Sequence, residues 1–217
     1  HPGRERERLG VIDVAAAVGA WRTSASATVL GLVGDGRAPA AIWHRPPCAA
    51  VLRDVRTLSA GPAFRHRAAV DRRAPERAMG EVLDPLGGVA VLPALARDLR
   101  QLLGLMAAID GVAPRSLRLE VIDDDGCRLF HTDRVAARLL CTYVGAGTEL
   151  LPDEAADRAR AGQGDNRHVL DEARIATVPT GAVLLMRGDL SPHGPGVLHR
   201  SPPNPLRAPR VLVAIDA

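Results

Sequence analysis

The chain has 217 residues, a formal net charge of +3 and a sequence pI near 9.2, with 47% apolar and 24% charged residues. That composition suits a folded domain with a sizeable core and excludes a disordered chain. All 28 basic residues are arginine, spread along the chain apart from the alternating "RERER" at 4–8, and aromatics are only 2%, which argues against a nucleic-acid-binding face with stacking rings.

No apolar run approaches the length of a membrane span, and no leader pattern is present in the sequence as given. Cys48, Cys127 and Cys141 lack CxxC spacing, so neither a disulfide framework nor a structural zinc site is indicated. Buried, reduced thiols in a cytoplasmic protein are the expectation.

Residues 1 to about 80 alternate short apolar runs, "ATVLGLV" and "AAIW", with Arg/Pro/Gly turns. In 91–109, "VLPALARDLRQLLGLMAAI", leucines and alanines recur at three- and four-residue spacing up to Asp110-Gly111, predicting a helix. After Pro114 the texture is β: "SLRLEVI", "CRLFH", "RLLCTYV", "IATVP", "AVLLMR", "GVLH" and "RVLVAID", separated by Gly, Pro and Asp. Strands this short and closely spaced predict a sandwich or barrel. Residues 152–172 read as a polar insertion between strands.

Chemistry concentrates in the second half. On a strand, residues i and i+2 share a face, so His131 and Asp133 in "FHTDR" can reach one metal ion; a hydrogen-bonded pair ending a strand is the alternative. His199 in "GVLHRSPP" is either a third ligand or a surface turn histidine, and His193 in "SPHGPG" competes with it. Arg210 opens "RVLVAID", with ten residues between it and His199, as a cosubstrate anchor or one more solvated arginine. Tyr143 lies in the core or lines the pocket, and Glu149 is a turn carboxylate. The "GAG" at 145–147 has no following helix and makes a poor phosphate loop. His44, His66 and His168 read as structural or solvated. Cys127 and Cys141 flank the candidate site without an identifiable base.

"VPTGAVLLMRGD" (178–189) resembles the strand that precedes the last metal histidine of double-stranded β-helix proteins. With the H-x-D pair, His199 and Arg210, residues 117–217 resemble the iron(II)/2-oxoglutarate oxygenases. The resemblance implies Fe(II), with zinc or manganese as other occupants, held by His131, Asp133 and His199. It also implies 2-oxoglutarate held by Arg210 with Tyr143 nearby. The expected fold is thus mainly β with α: a jelly-roll or cupin-like double-stranded β-helix core at 116–217, with 1–115 as an α/β extension packed against it in one integrated domain. The phrases "FHTDRVAARLLCTYVGAGTELLP", "LLMRGD", "LHRSPP" and "RVLVAID" resemble more closely the bacterial family known as domain of unknown function 1826, with "AAIWHRPP" a looser match. Leu150 stands where that family usually has Trp. The rival reading is a non-catalytic cupin-like metal-binding protein in zinc handling, and a metal-dependent hydrolase or isomerase comes third. The substrate is unreadable; neither a membrane nor a nucleic acid is expected as partner.

Overall fold

In the computed structural model, which describes residues 16–18, 21–46, 48–124, 126–161 and 163–217, the first half of the chain is a relay of short elements. They are β1 (Ala16–Val18), β2 (Trp21–Ser24), α1 (Gly31–Gly34), β3 (Ala40–Trp43), α2 (Ala49–Ser59), β4 (Phe64–Ala69), α3 (Pro75–Leu83), α4 (Gly88–Val91) and α5 (Pro93–Ala107). The second half supplies β5 (Ser116–Ile122), β6 (Ala137–Val144), β7 (Glu149–Leu151), β8 (Ala176–Thr177), β9 (Val183–Arg187), β10 (Leu198–Arg200) and β11 (Arg210–Asp216). The helix predicted at 91–109 is α5. Pro93 at its first position is pre-set for helix, and Asp54 from α2 accepts the free amides of Ala94 and Leu95 at 2.9 Å each.

The strands form a large sheet in the order β1-β2-β3-β9-β6-β11-β5-β4 and a small one in the order β10-β7-β8. The fold is mixed α/β and rich in sheet. The expected extension packed outside a barrel needs correction: residues before 115 enter the large sheet itself. β3 pairs with β9, extending one side, while β4 pairs with β5 and forms the opposite edge. "CRLFH" is no regular strand either, since only an isolated bridge from His131 to His199 joins it to the small sheet. The 152–172 insertion is packed: Ala155, Ala161 and Val169 cover Phe130, Leu151 and Leu198. His168 within it is fully buried.

Period-2 alternation separates the two faces of the large sheet. Leu139, Cys141 and Tyr143 of β6, Leu117 and Leu119 of β5, and Val211, Val213 and Ile215 of β11 join Leu95, Leu99, Leu102 and Met106 of α5 in the main core. Leu184 and Met186 of β9 point the other way, toward Leu150 of β7 and Val197. Each buried aliphatic side chain contributes about 1.5–3 kcal/mol, so packing rather than helix propensity holds α5 in place.

One polar cluster sits in the helix-facing layer. Buried Asp98 of α5 accepts a bidentate pair from Arg45 at 2.5 and 2.7 Å and the Tyr143 hydroxyl at 2.5 Å. Burial and this partner push the Tyr143 phenol up, and burial holds the adjacent Cys141 thiol up at about 11. Removing Asp98 strands a guanidinium whose side chain is 13% exposed. Asp98→Ala is therefore expected to cost about 3–5 kcal/mol, and Tyr143→Phe about 1 kcal/mol. Urea denaturation checks both; an Asp98→Ala midpoint equal to that of Tyr143→Phe would refute the ranking.

Candidate metal centre

The two histidines meet because their backbones pair. The His131 amide donates to the His199 carbonyl and the His199 amide to the His131 carbonyl, each at 3.0 Å. In an antiparallel bridge the two side chains stand on the same face, and the rings lie 4.6 Å apart between centroids. Each imidazole is then aimed in the same way. Nδ1 of His131 donates to Leu129 O at 2.8 Å, and Nδ1 of His199 to Val197 O at 3.0 Å. That tautomer leaves both Nε2 lone pairs facing outward as potential ligands.

Asp133 completes the group. Its Oδ2 lies 3.0 Å from His199 Nε2 and its Oδ1 3.8 Å from His131 Nε2. One ligand atom from each of the three residues falls within 4.8 Å of the others, and among the described residues this is the one such cluster of His, Cys, Asp or Glu. His193 lies outside it, on an exposed loop.

The supports are specific. Asp189 accepts from the Thr132 hydroxyl at 2.5 Å and the Gly196 amide at 3.1 Å, and its own amide donates to Asp133 O at 2.8 Å. This ties the H-x-D segment to the loop that leads into His199. Gly188 permits the approach: a Cβ there would stand 2.6 Å from Asp133 O. Asn166, in the insertion, accepts the Phe130 amide and donates to Arg128 O, holding the residues just before His131. Arg138 of β6 donates to Asp133 Oδ1 at 2.5 Å and to Asp216 Oδ1 at 2.6 Å, and Ser116 donates to Asp216 Oδ2.

Electrostatics favour a cation. Burial works to raise the Asp133 carboxyl, but the hydrogen bond and charge of His199 and the Arg138 guanidinium hold it at about 2. Burial, then the charge of His199, pushes the His131 imidazole down toward its neutral form. Asp133 Oδ2 is buried, with His199 Nε2 3.0 Å away and no other hydrogen-bond partner among the described residues. With His199 Nδ1 spent on Val197 O, a neutral imidazole sets its Nε2 lone pair against that oxygen. A metal ion between the two atoms would relieve the contact, and two imidazoles with one carboxylate make a donor set suited to divalent iron, manganese or zinc.

The cleft beside this group is lined by His131, His199, Thr148, Leu212 and Arg210, among others. Arg210 is 4% exposed. Its Nε donates to Ala146 O at 2.8 Å, and among the described residues no carboxylate forms an ion pair with it. Burial pushes the guanidinium below its usual range. The "GAG" turn is what admits this side chain: Gly145 has φ +85°, and a Cβ there would come within 2.6 Å of Arg210 Cγ.

Tyr143 does not line the cleft. It faces the helices with Leu139 and Cys141 while Arg138 and Leu140 face the cleft, so its expected cosubstrate contact is corrected. Glu149 is no idle turn carboxylate, since it binds Arg200 at 2.6 Å. Leu150 is fully buried opposite His199 in register. The thiols depart from expectation: Cys48 and Cys127 are exposed and only Cys141 is buried. His66 bonds Val82 O at 3.0 Å, a structural role. Arg138, Asp189, Asn166 and Asp216 were not singled out from sequence; the "MRGD" phrase contained Asp189, and no spacing pointed to the others.

A family profile described as "Protein of unknown function (DUF1826)" matches residues 24–216. No curated protein matches the sequence. Among solved structures, a full-length Neurospora crassa protein in complex with alpha-KG and 5-formyluracil is 15% identical, over 88% of this chain and 78% of that one, with a TM-score of 0.48. A protein from Caulobacter crescentus assigned to the 2OG-Fe(II) oxygenase family is 15% identical, over 88% and 81%, with a TM-score of 0.45. No described helix is long and apolar enough to cross a membrane.

If the three side chains hold one ion, His131→Ala, Asp133→Ala and His199→Ala each abolish tight binding of one divalent metal per chain, while His193→Ala binds like wild type. Asp189→Asn, which loosens the support, weakens binding by about 10- to 100-fold. Metal content after dialysis, by atomic emission, checks this; stoichiometric metal in any of the three alanine variants would refute the assignment.

Proposed function

The chain belongs to the DUF1826 family, and we propose that it is an iron(II)- and 2-oxoglutarate-dependent oxygenase built on a double-stranded β-helix. The winding supports the fold. From β5 onward the chain passes between the sheets: β5 in the large one, the His131 bridge in the small one, then β6 large, β7 and β8 small, β9 large, β10 small and β11 large. The three candidate ligands come from neighbouring segments of the small-sheet side, as that architecture places them.

The observation that carries the function is Arg210. A guanidinium that is buried, lacks a carboxylate partner among the described residues and opens on the cleft shared by His131 and His199 is costly for the fold. It gains its counter-ion when a dicarboxylate lies between it and the metal. A planar fork meets a terminal carboxylate with two parallel hydrogen bonds, and Thr148, also lining the cleft, adds a hydroxyl. In this reading His131, Asp133 and His199 would hold the iron. Bound there, iron with 2-oxoglutarate supplies O2-dependent oxidation, the cosubstrate losing CO2 as a substrate is hydroxylated. The chain's own work is to fix the ligands through Asp189, Asn166 and Arg138 and to anchor the cosubstrate through Arg210.

Arg210→Ala is expected to leave metal binding intact and to weaken 2-oxoglutarate binding by about 30- to 150-fold, the worth of a charge-assisted contact of roughly 2–3 kcal/mol. Arg210→Lys recovers part of the loss because the charge remains. Arg207→Ala, on the exposed turn before β11, behaves like wild type. Calorimetric titration of 2-oxoglutarate into the Mn(II)-loaded chain decides it. A wild-type protein that binds none at millimolar concentration is a metal-binding protein of another kind.

A further inference from the structure

The same cleft carries more positive charge than its known duties use. Arg65, Arg118, Arg138, Arg200 and Arg210 line it, against Glu120 as the lining carboxylate. Arg138 is committed to Asp133 and Asp216, and Arg200 to Glu149. Arg118 is poorly served: Glu120 is 3.4 Å away and Asp216 3.9 Å, and its buried Nε has no hydrogen-bond partner. The register adds to the strain. β4 sets Arg67 directly opposite Arg118, and like charges at opposed positions of an antiparallel pair repel. Arg65, two residues along the same face of β4, has only a loose 3.7 Å contact with Asp124, both side chains being more than half exposed. Arg65 and Arg118 thus line the β4–β5 side of the cleft with Arg67 beside them, and Glu120, opposite Arg65 in register, with Asp124 and a share of Asp216 balances the three.

We propose that this side of the cleft is an anion subsite, in which Arg118 and Arg65 hold a phosphate or carboxylate group of the substrate. Calling the anion part of a substrate rests on the oxygenase reading; the subsite itself does not. A bound oxyanion offers the terminal amino groups of Arg118 an acceptor better than the 3.4 Å contact with Glu120 and relieves the repulsion from Arg67. Arg118, at 23% side-chain exposure, is the deeper donor, and Arg65, at 57%, is the outer, salt-screened one. The subsite differs from the Arg210 pocket in its donors, which stand on β4 and β5 rather than on β11.

The test is calorimetric titration of inorganic phosphate into the metal-free full chain at low ionic strength, with acetate in a parallel titration. Wild type is expected to bind phosphate saturably, with a Kd of about 1 mM or tighter. Arg118→Gln weakens this by at least about tenfold, Arg65→Gln by about two- to fivefold, and Arg118→Lys retains part of it. Arg210→Gln leaves phosphate binding within about twofold. Acetate bound as well as phosphate assigns a carboxylate substrate, and a clear preference for phosphate assigns a phosphorylated one. Equal binding by wild type, Arg118→Gln and Arg65→Gln overturns the proposal, as does no saturation in wild type, or loss confined to Arg210→Gln. Circular dichroism melts verify that Arg118→Gln is folded, and Arg65→Gln, on an exposed edge, carries the test if it is not. Phosphate binding that depends on Arg118 in a protein that takes no 2-oxoglutarate keeps the subsite and discards the oxygenase reading.

Discussion

Two main-chain hydrogen bonds, from His131 to His199 and back, bring the candidate metal group together. They are the one rung that joins the irregular segment before β6 to the small sheet. A typical bond of this kind contributes only about 1 kcal/mol net, so the rung does not hold itself in place. Asn166 grips the backbone before it, Asp189 grips the residues after it, and the buried neighbours Phe130 and Leu198 pack beneath it. The rung gives two imidazoles a common face, the carbonyls two residues back rotate them, and Asp133 follows from the turn.

The charges around the group obey the same logic. Arg138 divides its fork between Asp133 and Asp216. That fixes the carboxylate in orientation while leaving its second oxygen turned to His199 Nε2. On the other face of the same strand, Tyr143 and Cys141 belong to the Asp98–Arg45 cluster. β6 therefore joins two buried ionic groups of different character: one is closed among protein partners, the other leaves ligand positions to be filled.

The sequence made the candidate metal group legible because its three members sit in short, chemically distinctive phrases. The strands β5, β6, β9 and β11 and the helix α5 were legible because each is an apolar run of the right period. What remained hidden was pairing. Nothing local says that "AAIW" lies beside β9 or that "FRHRAA" becomes the edge beyond β5, since both contacts are made across long stretches of chain. The helices at 49–59 and 75–83 are amphipathic but only 11 and 9 residues long and set among Arg, Pro and Gly, so each reads as one more short apolar run. Tyr143 was misplaced for a related reason. The parity of a strand assigns its residues to two faces but does not say which face is which until one residue, here Arg138, is seen to meet a known partner.

The position of β11 also bears on how the molecule is made. It lies between β5 and β6, which do not touch each other in the sheet order, and it is synthesised after both. Asp216 bonds to Ser116 and Arg138 at separations of 100 and 78 residues. A sheet closed by insertion of its latest strand has high contact order and folds slowly. Until that insertion, two apolar strand edges stand open to other chains, the condition under which nascent proteins need chaperones. Arg138 also lacks one of its two carboxylates until then. The support that Arg138 gives Asp133 is consequently completed only when β11 is in place.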